Sequence, residues 1–369
     1  MLRAGFGLLY DDLAQSGWVT AFQAVQSTPG SCVDPAQNPG GSENAGCVPG
    51  DSSGGTANLI DSRYRTPYAL HVSAGLQRSL GEHWLLSADY MHEQGNHGYR
   101  GYAYTGGANL FTPLLPMDDP AQADIVPDAN VFHSDNRSSY NALMLHAQAN
   151  EGRHLSLVAN YTLSKAQTWG CVLGELFDYV NGVCDPLNPF APGDYGPSGE
   201  DVRHRAVLAA TWQTPGGIVL STVTQAESAR PFTITTADDS GRIAVNGVPT
   251  SLDQFRGTPY IQADLRISRP INLADHWTLT PFAEFFNLFN LNNPGANYVT
   301  NIAALPVPAS EAQAGNITDI CSNADCSATE PIRSLDQLRV PGGGLGDFFG
   351  PGTTVGIPFA AQVGARLVF

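Results

Sequence analysis

Charged residues and long hydrophobic runs are both scarce in this sequence. Asp, Glu, Lys and Arg make up 14% of its 369 residues, whereas soluble domains average about a quarter. A membrane-spanning helix needs about 20 mostly apolar residues, but every apolar stretch here is soon broken by a polar residue, Gly or Pro. The sequence therefore predicts no membrane helix. Its composition is typical of alternating strands that have one apolar face.

Motifs of the common enzyme classes are also missing. The sequence has no HExxH, no GxSxG, no P-loop and no GxGxxG that opens a helix. We therefore predict that the chain is not an enzyme and that it holds no cofactor and no metal. The formal net charge of −16 would repel nucleic acid, so a nucleic-acid partner is not expected.

The chain starts without the basic head and apolar block of a signal peptide. Its six cysteines nevertheless indicate export, because three close pairs inside predicted loops are typical of disulfides in an oxidising compartment. These pairs are Cys32 with Cys47, Cys171 with Cys184, and Cys321 with Cys326. Zinc is disfavoured, since the cysteines lack close CxxC spacing and neighbouring histidines. Because an exported protein needs a signal peptide and this sequence begins without one, we expect that the chain lacks its true N-terminus.

Period-2 alternation predicts about ten strands. Several of them reach the 9–11 residues or so that cross a bilayer at a tilt. The predicted strands are Leu2 to Tyr10, Tyr68 to Leu80, Trp84 to Gln94, Tyr140 to Asn150, His154 to Lys165, Val202 to Trp212, Ile218 to Thr235, Ile261 to Ser268, Trp277 to Leu288 and Gly356 to Phe369.

Long and short connections alternate strictly between these strands. The long ones cover residues 11–66, 95–139, 168–201, 236–258 and 289–355, and the short turns include Gly81-Glu82-His83 and Pro215-Gly216-Gly217. Soluble domains rarely carry so many long loops, whereas bacterial outer-membrane barrels have short periplasmic turns and long external loops. The pattern predicts an antiparallel transmembrane β-barrel wall with both chain ends on the periplasmic side.

One face of the predicted wall is apolar and the other carries charges that a water-filled barrel interior can hold. Inward-facing candidates for ligand contact are Arg203, Arg205, Asp264, Arg266 and Glu284. Inward arginines pair with neighbouring carboxylates or contact an anionic ligand, and the structural pair is the favoured interpretation. Aromatic residues near predicted strand ends indicate interfacial girdles: Tyr10, Tyr68, Trp84, Tyr140, Trp212, Trp277 and Phe369.

Several segments resemble the barrel of TonB-dependent receptors, above all the Oar-like group with an N-terminal carboxypeptidase-regulatory-like domain. They are Tyr140-Asn141-Ala142-Leu143, Asn160 to Ala166, Asp201-Val202-Arg203-His204-Arg205, Glu284 to Asn290 and Gly364 to Phe369. The resemblance spans nearly the whole chain and implies a 22-stranded barrel with an internal plug. Residues 1–369 would then be the C-terminal barrel portion, without the plug and the regulatory domain.

The resemblance also implies partners and a function. The chain would take part in ligand uptake across the bacterial outer membrane, surrounded by outer-membrane lipid. It would meet the TonB complex only through the absent plug, and it would need the missing barrel strands. The terminal Phe369 resembles the signal that the barrel-assembly machinery reads.

Two other classes of function remain open at this point. The chain could form an autonomous ten-stranded barrel that acts as a passive pore or as a surface-binding protein. It could also act as a surface protease like the omptins, for which Asp89, His92, Glu93 and His97 are the candidate residues. Whether ten strands close alone, and with their first and last strands paired, is left open by the sequence.

Overall fold

Ten long strands form one antiparallel wall in the computed structural model. The model describes residues 1–10, 57–61, 63–104, 129–152, 154–171, 182–237, 241–274, 276–293, 302, 305–323, 325–338 and 357–369. The wall strands are β1 (Leu2–Tyr10), β2 (Tyr68–Leu80), β3 (Trp84–Tyr104), β4 (Ala129–Glu151), β5 (Leu155–Trp169), β6 (His204–Gln213), β7 (Val219–Glu227), β8 (Tyr260–Ser268), β9 (Trp277–Phe286) and β10 (Ala360–Val368). Each strand pairs with the next one along the chain, which confirms the all-β antiparallel prediction.

The pairing register continues apolar rows from strand to strand. Leu145 on β4 lies opposite Ala88 on β3 and Tyr161 on β5, and Phe6 on β1 lies opposite Val72 on β2. Because side chains alternate across a strand, all these residues share one face, and Phe6 is 73% exposed. We call this apolar, exposed surface the outer face. The opposite surface, which carries the charges, is the inner face.

Aromatic side chains lie at both ends of the wall. Tyr10 and Tyr68 are in contact at the end that bears the long loops, with ring centroids 5.9 Å apart. Trp277 stacks on Phe369 at the opposite, periplasmic end, with centroids 5.5 Å apart. Tyr140 does not belong to these girdles, because it pairs with Glu93 and therefore lies on the inner face.

Short turns close the periplasmic end as the alternation predicted. Gly81 and Gly217 have φ angles of 63° and 76°, a left-handed conformation that costs glycine little and other residues more. A short strand, Ile271–Ala274, adds a further hairpin with β9. No helix in the described part of the chain is long and apolar enough to cross a bilayer.

The strand ends differ from the sequence prediction at several places. β3 continues to Tyr104 and β4 already begins at Ala129, so much of the predicted loop 95–139 is strand. Polar residues and two register shifts between Asn96 and Arg100 hid this extension from a simple alternation count. β6 begins at His204 rather than Val202, and β7 ends at Glu227 rather than Thr235.

The wall has two free edges among the described strands. β1 pairs with β2, β10 pairs with β9, and no ladder joins β1 to β10. The described wall is therefore an open sheet of ten long strands. The count of 22 for a closed barrel stays a prediction.

The external connections contain a small folded module rather than irregular loops. Short strands pair there: Pro231–Phe232 with Phe255–Arg256, Ala244–Val245 with Val248–Pro249 and Asn316–Ile317, and Asp319–Cys321 with Thr329–Pro331. They enclose a buried apolar cluster: Phe232, Ile234, Ile243, Val245, Phe255, Ile302, Leu305, Val307, Ile317 and Leu338. The cluster explains why the predicted loops 236–258 and 289–355 fold together.

Further short elements lie in the external connections. The strand Ala57–Ile60 runs parallel to β4 inside the predicted loop 11–66. The 3₁₀ turn Pro192–Asp194 leads into the strand Tyr195–Pro197, which pairs with the end of β5. A second 3₁₀ turn covers Leu335–Leu338.

Two of the three predicted cysteine pairs form disulfides. Cys171 and Cys184 have Cα atoms 4.8 Å apart, and those of Cys321 and Cys326 are 4.7 Å apart. Cys32 and Cys47 lie outside the described residues, so their pairing stays a prediction. Both bridges lie in the external connections, and such bridges persist in oxidising compartments.

The short helix α1 (Ala309–Ala314) makes the external module sensitive to acid. The Glu311 carboxylate accepts hydrogen bonds from Thr318 Oγ1 at 2.5 Å and from the Thr318 and Asp319 N–H groups at 2.7 and 3.1 Å. Partial burial works to raise the pKa of Glu311, but these hydrogen bonds outweigh it and lower the pKa. Stability from this carboxylate is therefore present above the unfolded-state pKa of about 4.3 and is lost as pH falls through the lower folded-state pKa.

We predict faster hydrogen exchange of the Thr318 and Asp319 amides, relative to their intrinsic rates, on acidification from pH 6 to pH 3. Glu311→Gln keeps an acceptor but cannot titrate, so its protection should change little over this range. Hydrogen-exchange mass spectrometry of both proteins at each pH checks this. Equal loss of protection in the two proteins would show that another group is responsible.

Candidate functional site on the inner face

Ion pairs and hydrogen bonds run across the inner face from strand to strand. Arg3 on β1 donates to both carboxylate oxygens of Asp89 on β3. His71 Nε2 on β2 lies 2.9 Å from Glu93 Oε2 on β3. His71 and Glu93 are directly paired, whereas Arg3 and Asp89 meet across Gly75 of β2, the strand that lies between them.

A second polar group lies on β6, β7 and β8. Arg205 Nε lies 3.0 Å from Glu227 Oε1, and Gln225 donates to the same oxygen at 2.7 Å. Gln262 donates to both oxygens of Asp264 at 3.1 Å. Asp264 also accepts the Asn287 N–H at 2.9 Å, so it holds the end of β9 against β8.

A third polar group joins β8, β9 and β10. Arg266 Nη1 donates to Glu284 Oε1 at 2.6 Å, and Gln362 donates to the other oxygen of Glu284. The guanidinium of Arg266 also lies over the Phe282 ring, 4.2 Å from its centroid. All three charged or amide groups are thus engaged within the wall.

The structure therefore places four of the five candidate residues on the inner face, each with a partner. The fifth, Arg203, precedes β6, and its Nε lies 2.9 Å from Asp201 Oδ2. The structure does not bring the five together. Arg203 lies at Asp201, Arg205 and Asp264 belong to the second polar group, and Arg266 and Glu284 belong to the third. Their contact with a ligand stays a prediction.

Sequence reasoning missed the importance of Asp201, which it treated only as part of the strand start. Its side chain is 0% exposed and accepts hydrogen bonds from the Ala166 N–H at 2.7 Å and from the Arg256 guanidinium. Arg256 Nη1 also donates to the Asp201 carbonyl at 2.8 Å. One carboxylate thus ties β5, the start of β6 and the external module together, through contacts that no local motif reveals.

The residues considered for protease chemistry do not converge. His92 pairs with Val72 and therefore lies on the outer face, where its Nδ1 contacts Asn141 Oδ1 at 2.9 Å. Asp89 and Glu93 lie on the inner face with Arg3 and His71 as partners. His97 packs against the Tyr68 ring, with centroids 5.6 Å apart.

A cavity of about 500 Å³ opens at the external end of the inner face. Its polar lining combines one carboxylate and one guanidinium with neutral donors and acceptors, among them Glu93, Asn136, Arg137, Ser138, Tyr140, Thr168 and Ser198. The size falls in the usual range of small-molecule sites, roughly 300–1,000 Å³. The lining can hydrogen-bond a polar group. None of the five candidate residues is part of it.

Comparison with known proteins identifies the family of the chain. Residues 1–253 match the family model described as outer membrane beta barrel domain. No curated protein matches the sequence.

The chain is similar to several solved structures, including the following three. The outer membrane transporter YddB from Escherichia coli is 13% identical over 79% of this chain and 35% of its own, with a TM-score of 0.43. The import receptor Fiu from E. coli K12 is 13% identical over 62% and 24%, with a TM-score of 0.37. The FrpB iron transporter from Neisseria meningitidis is 9% identical over 64% and 29%, also at 0.37. The chain thus spans 24 to 35% of the length of these proteins.

Proposed function

Because this chain belongs to the outer membrane beta barrel domain family, we propose that it forms part of the wall of a bacterial outer-membrane receptor that takes up a ligand. The observation that carries the proposal is the two-faced wall. An exposed apolar face suits lipid, while the opposite face carries paired charges and ends in a cavity of about 500 Å³. A wall of this kind separates lipid from a polar lumen.

The paired charges support a plugged or ligand-filled lumen formed by a stable wall. Arg3 with Asp89, Arg205 with Glu227 and Arg266 with Glu284 neutralise one another within the wall. A ligand entering from outside meets the cavity around Glu93 and Tyr140 before it reaches these pairs. We therefore place first contact with ligand at that cavity and assign the deeper candidates to the lumen wall.

Uptake of this kind needs parts beyond the described wall. The free edges of β1 and β10 support further strands that complete the barrel, as in the Oar-like TonB-dependent receptors that the sequence resembles. A plug would then connect the barrel to the TonB complex. Phe369, stacked on Trp277, would present the last strand to the barrel-assembly machinery.

Photo-crosslinking in the bacterium tests the completed wall. Benzoylphenylalanine in place of Phe6 on β1 or Val363 on β10 should crosslink to additional barrel strands, because both residues lie at free edges and are 73% and 85% exposed. The same probe at Leu145, inside the sheet, should reach only lipid and the neighbouring strands. Mass spectrometry of the crosslinked peptides identifies the partners.

Two outcomes would contradict the receptor proposal. A crosslink from position 6 to β10 of the same chain would show that ten strands close alone, which supports the passive pore or surface-binding protein. Crosslinks to lipid alone at both edges would show that no further strand covers them.

A further inference from the structure

A second cavity lies on the other side of the same wall, on the outer face. Tyr68 continues the outer row of Leu70 and Val72, and it pairs with Asn96, which in turn pairs with Arg137. Since directly paired residues share a face, Tyr68, Asn96 and Arg137 all point outward. They line a cleft of about 900 Å³, which we call the outer cleft.

The outer cleft combines arginines with aromatic rings. Arg63, Arg65 and Arg137 line it together with Tyr68, Trp169 and Tyr195. The rings of Trp169 and Tyr195 lie 5.1 Å apart. The chain has a formal net charge of −16. The three arginines on this outward surface therefore form a positively charged cluster in an acidic protein.

The two carboxylates in the outer cleft are engaged by other groups, although Asp135 Oδ1 accepts no hydrogen bond within the part of the chain that the structure describes. Asp61 accepts the Arg63 N–H at 2.9 Å, and its other oxygen lies 2.8 Å from His133 Nδ1. Asp135 accepts the Tyr102 hydroxyl and lies 3.8 Å from the fully buried guanidinium of Arg100. These acids therefore do not neutralise the remaining arginines.

Arg65 and Arg137 are exposed and have no ion-pair partner among the described residues. Their backbones are nevertheless fixed, because the Arg65 N–H donates to Ser134 Oγ at 2.8 Å and the Arg137 N–H donates to Asn136 Oδ1 at 2.8 Å. Two guanidiniums without an ion-pair partner in the described ranges thus stand on ordered backbone beside an aromatic surface.

The position of the cleft decides what can occupy it. It lies directly beyond Tyr10 and Tyr68, the aromatic contact at the external end of the outer face. Aromatic residues at such places mark the level of the lipid headgroups. A soluble ligand bound for the lumen would have to enter on the other side of the sheet.

We propose that the outer cleft binds the phosphate-bearing sugar headgroup of a glycolipid in the outer leaflet. Guanidinium groups bind phosphate oxygens in bidentate fashion, and basic pockets beside the membrane bind anionic lipid headgroups. The faces of Trp169 and Tyr195 would pack against the sugar. This assignment does not rest on the proposed uptake, because the cleft lies on the opposite face from the lumen.

Lipid binding to the full chain in phosphatidylcholine nanodiscs tests this assignment. The probe is bisphosphorylated lipid A, and native mass spectrometry counts the lipid A bound at increasing mole fraction. Arg65→Gln and Arg137→Gln should each weaken binding about fivefold, and the double variant about 25-fold, from roughly 1 kcal/mol for each basic residue near the headgroups. Arg78→Gln is the matched control, because Arg78 is exposed on the same face near the periplasmic turn at Gly81.

Further arms separate the sources of phosphate. Dephosphorylated lipid A should bind like the double glutamine variant, and inorganic phosphate should not displace lipid A. The double variant Arg65→Lys with Arg137→Lys keeps both charges but loses the planar guanidinium groups, so we expect intermediate binding. It also replaces the glutamine variants if these fail to fold. Wild-type binding by the double variant, equal loss in Arg78→Gln, equal binding of the dephosphorylated lipid, or displacement by inorganic phosphate would overturn the assignment.

Discussion

Replacing Asp201 with Ala should lower the free energy of unfolding of the chain in lipid vesicles by about 3–5 kcal/mol. The carboxylate is fully buried and is shared by Arg203, Arg256 and the Ala166 N–H. Its removal leaves two guanidiniums without their counter-charge and one N–H without its acceptor. Urea titration of the refolded protein, followed by tryptophan fluorescence, measures the change.

Glu200 offers a matched control beside Asp201. Its side chain is 66% exposed and it forms an ion pair with Arg230, so Glu200→Ala should cost about 0–1 kcal/mol. Asp201→Asn keeps the oxygen acceptor and should fall between the two. An Asp201→Ala variant as stable as Glu200→Ala would show that the buried carboxylate does not hold β5 and the external module together.

Placing an arginine at Leu145 should destabilise the wall in the membrane by about 2–4 kcal/mol. Leu145 is 40% exposed on the outer face, midway along the membrane-crossing part of β4. A charge there would enter the hydrocarbon region, where it loses its hydration. The same urea titration, performed in vesicles of fixed acyl-chain length, measures the effect.

Met144→Arg provides the control, because it makes the same substitution one residue away. Met144 pairs with Asp89 and Thr162, so its side chain lies on the inner face near a carboxylate. We expect a change of less than about 1 kcal/mol, since lumenal positions tolerate charge. A larger loss for Met144→Arg than for Leu145→Arg would reverse the assignment of the two faces.

The wall could be predicted from sequence because its strands obey a local rule. In β4 the apolar residues Leu145, Ala147 and Ala149 alternate with His146, Gln148 and Asn150, and each periplasmic turn is short. Strand identity, face and order follow from such patterns without knowledge of any distant contact. The predicted strand end was wrong where the rule weakens, as in β3 beyond Gln94, where polar residues and register shifts replace the alternation.

The external module and the junction at Asp201 could not be predicted for a different reason. Ile243 and Ile317 meet in one buried cluster although 74 residues separate them. Asp201 and Arg256 likewise come from different connections. Such contacts depend on how the loops are brought together by the wall, and no spacing within one segment records them.

The candidate site was predicted in part. The inward direction of Asp264, Arg266 and Glu284 follows from alternation, and the pair of Arg266 with Glu284 follows from register. The cavity around Glu93 and Tyr140 was missed because Tyr140 resembled an interfacial aromatic residue at a strand end. Only the pairing with β3 shows which face it occupies.

The wall is one sheet thick where the two cavities meet, and this has a mechanical consequence. Tyr68, Asn96, Arg137, Ser138 and Ser139 line both the inner cavity and the outer cleft. A shift of this short stretch of backbone therefore reshapes both linings at once. If occupancy of one cavity shifts this stretch, the free energy of binding at the other cavity changes, and the effect is equal in both directions. The lipid around the barrel would thus act as an effector of what the lumen admits.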